Sequence, residues 1–495
     1  MHFRINKHHN SKVITLLGLF LLLLIVSPAE AQMLSLSDAI QYGMEHNDQL
    51  LRQKEVILQK EYDLAAMKGN FLPKVSVAGG YTYLSENMRI NMDQVKGSLD
   101  DVLSKYGVAI ASEIIPFQTS PEFQAGLYNA LYGSLSSLPT FDVEIDNQHM
   151  PTANIVAMQP IFMGGKIIAG TKFAKAESEE AHYELIKLSN EVSQSIIKRY
   201  LTVVLLQDVV KTRNHVVQGV ERHHQEAKKA IEIGVVPPHV LLRAKVALSN
   251  ANRKLKDDKN NLKLAMLALK TEMGMKDDTL IQICDHMKFN LHGIMLDSSM
   301  TDALAHQPIF KILEQKKSMV KQNYNVKRSE MMPKIFAWGE YGFFREELPI
   351  IQPPVMLGVQ VKMTLFNGFS KINELKSARH LQYEVERAED YAENQVKLWV
   401  HKSYYQIENS KEKYIDMQST IMEAQENVNI LEKRFSEGLS PSLEVIDARL
   451  LLEAELIEEL ATLFEYYNAL AEFYTATAQP EKILDIFNHT ENANN

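Results

Sequence analysis

Between Phe369 and Gln479 the chain contains one Gly and one Pro, Gly438 and Pro441, three residues apart. Helix-favouring sequence lies on both sides of them. Residues 369–437 therefore read as one unbroken helix, followed by a sharp reversal and a second helix of some 35 residues. At ~1.5 Å per residue the first helix is roughly 100 Å long, far beyond the mean globular helix of about 11–12 residues. Its mixed charge and spaced apolar residues, Val396, Val400, Tyr404 and Ile407, suit a helix packed in water along one or two faces. The plain alternative is an isolated coiled-coil stalk.

The chain also repeats itself. "HNDQLLRQKEVILQKEYDLAAMKGNFLPK" from His46 has a relative, "HQPIFKILEQKKSMVKQNYNVKRSEMMPK", from His306, and each runs 27 residues from its His to Pro73 or Pro333. "PIFMGGK" around Phe162 resembles "TLFNGFS" around Phe366, and "IEIGVVPPHVLLRAK" resembles "FSEGLSPSLEVIDAR". Phe162 to Gly234 and Phe366 to Gly438 both span 72 residues, with Tyr200 and Tyr404 at the same offset of 204. The first pair sits at an offset of 260, so the first copy carries 56 extra residues between Pro73 and Phe162. The expected organisation is a first repeat over 32–273, a connector over 274–305, a second repeat over 306–480 and a tail over 481–495. Each repeat holds a helix ending at a Pro, two strands (about 75–84 and 153–162, then about 335–344 and 355–366) and a long helical hairpin. The hairpins cover 166–273, with its tip at 234–238, and 369–479, with its tip at 438–441. A loop insertion lies at about 86–141. The short helical segments 46–72 and 239–273 together approach the length of one long helix, so they can stack end to end beside it.

The N-terminus states a destination. Arg4, Lys7 and Lys12 precede the apolar run "VITLLGLFLLLLIV" and then "SPAEAQ", in which Ala29 and Ala31 fit a signal-peptidase site. Residues 1–31 are expected to be a cleaved signal peptide, and no Cys follows the cut to carry a lipid. Removing them takes the formal net charge from −9 to −11. An acidic chain without basic clusters speaks against nucleic acid as a partner. No later apolar run is long enough for a membrane helix. The single Cys284 reads as a small buried apolar residue.

The strands offer another way into a membrane. In "VMLGVQVKMTLF", Val355, Leu357, Val359, Val361, Met363 and Leu365 alternate with small or polar residues. "IFAWGEYGFF" places Ile335, Ala337, Gly339, Tyr341 and Phe343 on one side, and the first copy does so with Val75, Val77, Tyr81 and Tyr83. A half-buried hairpin alternates in the same way. In an exported chain, stretches of about ten residues with one apolar, aromatic-rich face fit a transmembrane β-barrel. Lipid cannot satisfy open strand edges, and four strands are too few to close around a pore. If the strands span a membrane, several chains share one barrel.

With these features the chain resembles the TolC family of outer-membrane efflux proteins. The residues that carry the likeness are "LSLSDAI", the "LPK" and "MPK" junctions, "QPIFMGGK" and the paired turns "RFSEGLSPSLEVIDAR" and "AIEIGVVPPHVLLRAK", spanning 34 to about 480. The resemblance implies a fold of mixed α and β, a homotrimer whose four strands per chain form one barrel, continued by a long periplasmic α-helical coiled-coil barrel. It implies an outer-membrane location in a Gram-negative bacterium, with outer-membrane lipid around the barrel. A periplasmic adaptor and an inner-membrane transporter are its implied partners. The implied function is an exit duct for small toxic compounds. The alternatives are the outer-membrane component of a type I protein secretion system or, less favoured, a periplasmic adaptor or scaffold.

The Gly/Pro turns then become periplasmic tips that meet the adaptor and form the entrance. The family pattern carries over onto Phe435, Glu444 and Asp447 around Gly438 and Pro441. The first copy departs from it, with Ile231, Val240 and Arg243 around Gly234 and Pro237. Threefold symmetry would turn Glu444 and Asp447 into acidic rings that select cations, and Asp447 can pair with Arg243 of a neighbouring hairpin. The plain reading of both acids is favourable placement near a helix N-terminus, worth about 0.3–1 kcal/mol each. Tyr81, Tyr83, Tyr341, Phe343, Val355, Leu357, Val359, Val361, Met363 and Leu365 are the expected lipid-facing residues. The adjacent His223 and His224 point in different directions on a helix and read as a solvated face rather than a metal site. No HExxH, phosphate-cradling loop or nucleophile elbow occurs, so no enzyme, metal or cofactor is expected.

Overall fold

A computed structural model of the chain describes residues 32–91, 94, 96–99, 101–102, 121–137, 142–145, 148–234, 236–291, 293–344 and 353–488. The expected signal peptide and the last part of the tail lie outside them, as does much of the 86–141 insertion. The chain divides into two compact units. One comprises residues up to 65 with 171–324 and 376 onward; the other comprises 66–170 with 325–375.

The first unit is helical. Strand β1 (Gln32–Leu34) leads into α1 (Leu36–His46), which Ser35 starts by a reciprocal capping box with Asp38. Helix α2 (Asp48–Gly69) follows. The first hairpin is α4 (Lys166–Glu232) and α5 (His239–Met273); α3 (Pro121–Ser136), in the insertion before it, belongs to the second unit. Strand β6 (Ile281–Ile283) pairs in parallel with β1. Helices α6 (Leu296–His306) and α7 (Pro308–Ser329) come next, then the second hairpin of α8 (Ser370–Ser436) and α9 (Ser442–Ala476), and α10 (Lys482–Asn488). The residues expected to form a connector, 274–305, carry β6 and α6.

Element lengths recur. Helices α1 and α6 have 11 residues each, α2 and α7 have 22, α4 and α8 have 67, and α5 and α9 have 35. Left-handed backbone recurs with them at an offset of 204: Gly164 with Gly368, Gly165 with Phe369, Gly234 with Gly438, and Gly274 with Ala478.

The short helices do stack end to end. Asn47 opens α2 by accepting from the Gln49 and Leu50 amides, and its Nδ2 donates to the Glu272 carbonyl at 2.7 Å. One side chain thus satisfies orphan groups at the C-terminus of α5 and the N-terminus of α2. Gln307, just before α7, does the same for α9, donating to the Thr475 and Ala476 carbonyls. Lys60–Glu177 and Lys317–Glu389 pairs then tie α2 to α4 and α7 to α8.

Along α8 the buried positions Val396, Val400, Ser403, Ile407, Ser410, Met417, Ala424, Val428 and Phe435 keep a 3.5-residue period. That is the seam of a left-handed coiled coil. The core of the unit gathers where β1, α1, α6 and α10 surround the middle of the long helices, with Ile196, Tyr200, Val400, Ile407, Tyr466 and Phe473 inside it. Tyr200 donates within hydrogen-bond distance of both the Leu34 carbonyl and Asp285, and burial pushes its phenol well above the ordinary range. Cys284, read from sequence as buried, is exposed. It follows the last residue of the three-residue β1–β6 pairing, where Ile283 is the buried side chain of β6.

The second unit is built on a four-stranded antiparallel sheet of β2 (Lys74–Tyr83), β5 (His149–Phe162), β7 (Lys334–Gly342) and β8 (Val355–Lys362), in that order. The insertion adds a small antiparallel pair, β3 (Met88–Asn91) with β4 (Asp142–Ile145). In the large sheet Val77 lies opposite Ile155, Ile155 opposite Tyr341, and Tyr341 opposite Val355. Opposite residues share a face, so the apolar alternation read in β2, β7 and β8 joins Ala153, Ile155 and Ala157 of β5 in one face four strands wide. The other face carries Ser76, Thr82, Thr152, Gln360 and an Asn154–Glu340 hydrogen bond of 2.7 Å. Strand β8 stops at Lys362, so Met363 and Leu365 lie past the regular strand, although both are exposed. Phe343 also lies past β7, with its amide bonded to the Ala153 carbonyl.

Candidate functional site at the hairpin tips

Both tips arise from the same backbone chemistry. Helix α8 ends in a Schellman turn: the Gly438 amide bonds the Phe435 carbonyl at 3.0 Å and the Leu439 amide bonds Arg434 at 2.8 Å. Gly438 adopts φ 74°, which a side chain disfavours, and Pro441, in extended conformation, opens α9. At the first tip Gly234 adopts φ 78° and its amide bonds Ile231. The Pro237 carbonyl accepts from Val240 at 3.1 Å.

The side chains differ. Phe435 is buried, while Gly438 and Pro441 are exposed. Glu444 accepts from Ser440 Oγ and sits in the first turn of α9. Asp447 and Arg243 are both exposed, and neither forms an ion pair with the described residues of the same chain. Arg243 borders an open apolar groove of Leu242, Val246, Leu443, Ile446 and Leu450, where α9 runs beside α5.

Sequence reasoning missed two clusters that anchor α9. In the first, Glu453 is 3 % exposed and bonded to Arg213, whose Nε also reaches Asp258 at 2.9 Å; Lys254 lies 3.6 Å from the Glu453 carboxylate. Burial works to lower the Arg213 pKa, but hydrogen bonds to Asp258 and Glu453 outweigh it and raise it. The partners stand 45 and 240 residues from Arg213, so no local pattern announced them.

The second cluster corrects the solvated-face reading at His223, while the adjacent His224 is half-buried. His223 is buried, within 2.6 Å of Ser442 Oγ and stacked at a tilt on Phe435. Burial, then the nearby Arg449 and His224, lower its pKa to about 4. Beside it Arg449 of α9 pairs with Glu432 of α8. Among the described residues no group of His, Cys, Asp and Glu could hold a metal ion. No helix there is long and apolar enough to cross a membrane.

The outer membrane efflux protein family profile matches residues 300–479. No curated protein sequence matches the chain. Among solved structures it resembles the outer membrane protein VceC of Vibrio cholerae, with TM-score 0.68 and 13 % identity, over 90 % of this chain and 96 % of that one. It resembles the Campylobacter jejuni CmeC outer membrane channel with TM-score 0.69 and 13 % identity, over 90 % and 86 %. The open-state Neisseria gonorrhoeae MtrE outer membrane channel matches with TM-score 0.63 and 14 % identity, over 92 % and 93 %. Identity this low speaks for the fold alone, and the profile speaks for the residues it matches. Residues 300–479 thus match the outer membrane efflux protein family in sequence, and nine-tenths of the chain shares its fold with outer-membrane channels.

Proposed function

We propose that the chain is the outer-membrane duct of a tripartite exporter. Three copies would close one barrel, four strands from each, and continue it as a helical tunnel in the periplasm. The observation that carries this reading is the large sheet. Its apolar face is open, with Val77 74 % and Leu357 80 % exposed, and no described strand of the chain pairs with the outer edge of β2 or of β8. A sheet with a bare apolar face and two open edges aggregates in water. In a bilayer, joined edge to edge with further copies, it has no free edge.

The recurring helix lengths and the four pairs of left-handed residues support reading the two halves as copies of one unit, 32–273 and 306–480. Cargo would arrive from an inner-membrane transporter through a periplasmic adaptor seated at the tips. In this reading the cargo is small toxic compounds, with a secreted polypeptide as the alternative. At the tips, Arg243 and Asp447 are free within the chain to pair with a neighbouring copy, and Glu444 and Asp447 would form the acidic rings of the entrance.

The test is membrane fractionation followed by native mass spectrometry of the detergent-extracted protein. An outer-membrane trimer is the expected result. A soluble periplasmic monomer would overturn the reading.

A further inference from the structure

Beside the second tip lies a buried histidine that the duct itself does not require. His223 belongs to α4 of the first hairpin and is 2 % exposed. It touches both arms of the second hairpin. Its ring centroid is 4.8 Å from that of Phe435, in the last turn of α8, and its Nε2 is 2.6 Å from Ser442 Oγ, at the first residue of α9. One side chain therefore contacts a residue on each side of the turn at Gly438.

The groups around it are charged. On α4, Glu226 is 3.9 Å from Nδ1, too far for a hydrogen bond, and His224 is adjacent. Arg449 comes from α9 and is paired with Glu432 of α8. The His223 Nδ1 is buried without a hydrogen-bond partner among the described residues. A neutral ring suits this packing. A protonated ring would bury a second N–H without an acceptor and set a positive charge beside the Arg449 guanidinium, and both are costly.

We propose that His223 is an acid-sensitive latch on the second tip: neutral, it holds Ser442 and Phe435 together across the turn; protonated, it leaves the packing and frees the turn from α4. The sign follows from burial. A histidine whose folded pKa lies below its ordinary value stabilises the packed state fully above about pH 6.5, and that contribution is lost as pH falls toward 4. The latch would thus hold at neutral pH and release in acid. Its consequence, a looser entrance, rests on the duct reading; the latch itself does not.

Hydrogen exchange by mass spectrometry on the full-length protein in detergent tests the latch, with rates at pH 7 and pH 4 corrected for intrinsic exchange. In the wild type, peptides covering 432–449 are expected to lose protection by roughly tenfold or more at pH 4. His223→Gln, polar and non-titrating, is expected to keep its protection. Ser442→Ala is expected to lower protection already at pH 7. Unchanged wild-type protection, or the same acid loss in His223→Gln, would overturn the latch. Bilayer conductance recorded in parallel separates the two readings. Acid loss of protection without channels at any pH sinks the duct and keeps the latch. Channels with acid-insensitive protection do the reverse.

Discussion

The turns at Gly234 and Gly438 each join a 67-residue helix to a 35-residue one, yet the side chains around them differ in kind. From Glu221 to Lys256 the first hairpin carries eight Lys or Arg against three Asp or Glu; from Gln425 to Leu460 the second carries three against nine. The second tip is also tied down, through His223, Ser442 and Phe435 near the turn and through Arg213 and Glu453 further along α9. Gly and Pro set where a chain reverses, so both hairpins keep the same turn. Long-range pairing sets what a turn holds on to, and there the two hairpins differ.

The largest expected effect strikes the tie. Glu453→Ala leaves Arg213 and Lys254 short of a buried partner and should cost about 3–5 kcal/mol. Thermal unfolding of the purified protein measures it, and Arg243→Ala at the exposed first tip should change the same transition by less than about 0.5 kcal/mol. Equal losses would erase the asymmetry.

The other end of the hairpins offers the next comparison. Gly274 closes α5 at φ 74°, and a Cβ there would stand 2.3 Å from the His46 carbonyl oxygen. Gly274→Ala should therefore cost more than the ~1–2 kcal/mol of left-handed strain alone. Its twin Ala478 already holds φ 59°, so Ala478→Gly should gain up to about 1 kcal/mol. Chemical denaturation of the two variants checks both signs.

At the turns themselves the backbone argument predicts equality. A Cβ on Gly234 or on Gly438 meets open space, so each Gly→Ala change should cost only the strain of about 1–2 kcal/mol. A difference larger than that, by hydrogen exchange of the flanking helices, would show a contact specific to one tip. The smallest effect belongs to the exposed pair. A double-mutant cycle of Arg243→Ala and Asp447→Ala should give a coupling of about 0.2–1 kcal/mol in closed-state conductance. Zero coupling would sink the proposed link between neighbouring hairpins.

Much of this fold was legible because it is written locally. Gly438, Pro441 and their twins mark the reversals, and period-two apolar residues mark three of the four strands and the face they share. The end-to-end helices were readable from length, though not the Asn47 and Gln307 bridges that join them. What stayed hidden depends on residues far apart. His223 lies in "RHHQEAKK", which reads as a solvated face, and Ser442, 219 residues later, is what covers it. The coiled-coil seam passes through Ser403 rather than the neighbouring Tyr404, because the strict 3.5-residue period counts position before hydrophobicity. Ala478 gave no sign of a left-handed turn, since its residue type does not favour one.

The central claim is that a sheet left open at both edges in one chain becomes a closed pore in a membrane. Single-channel recording of the purified full-length protein in planar bilayers tests it most directly. The account predicts a stable, uniform conductance step carried by the trimeric species, with reversal potentials favouring cations that weaken in Asp447→Ala. Bilayers that stay silent with a trimer present, or conductance carried by a monomer, would contradict it.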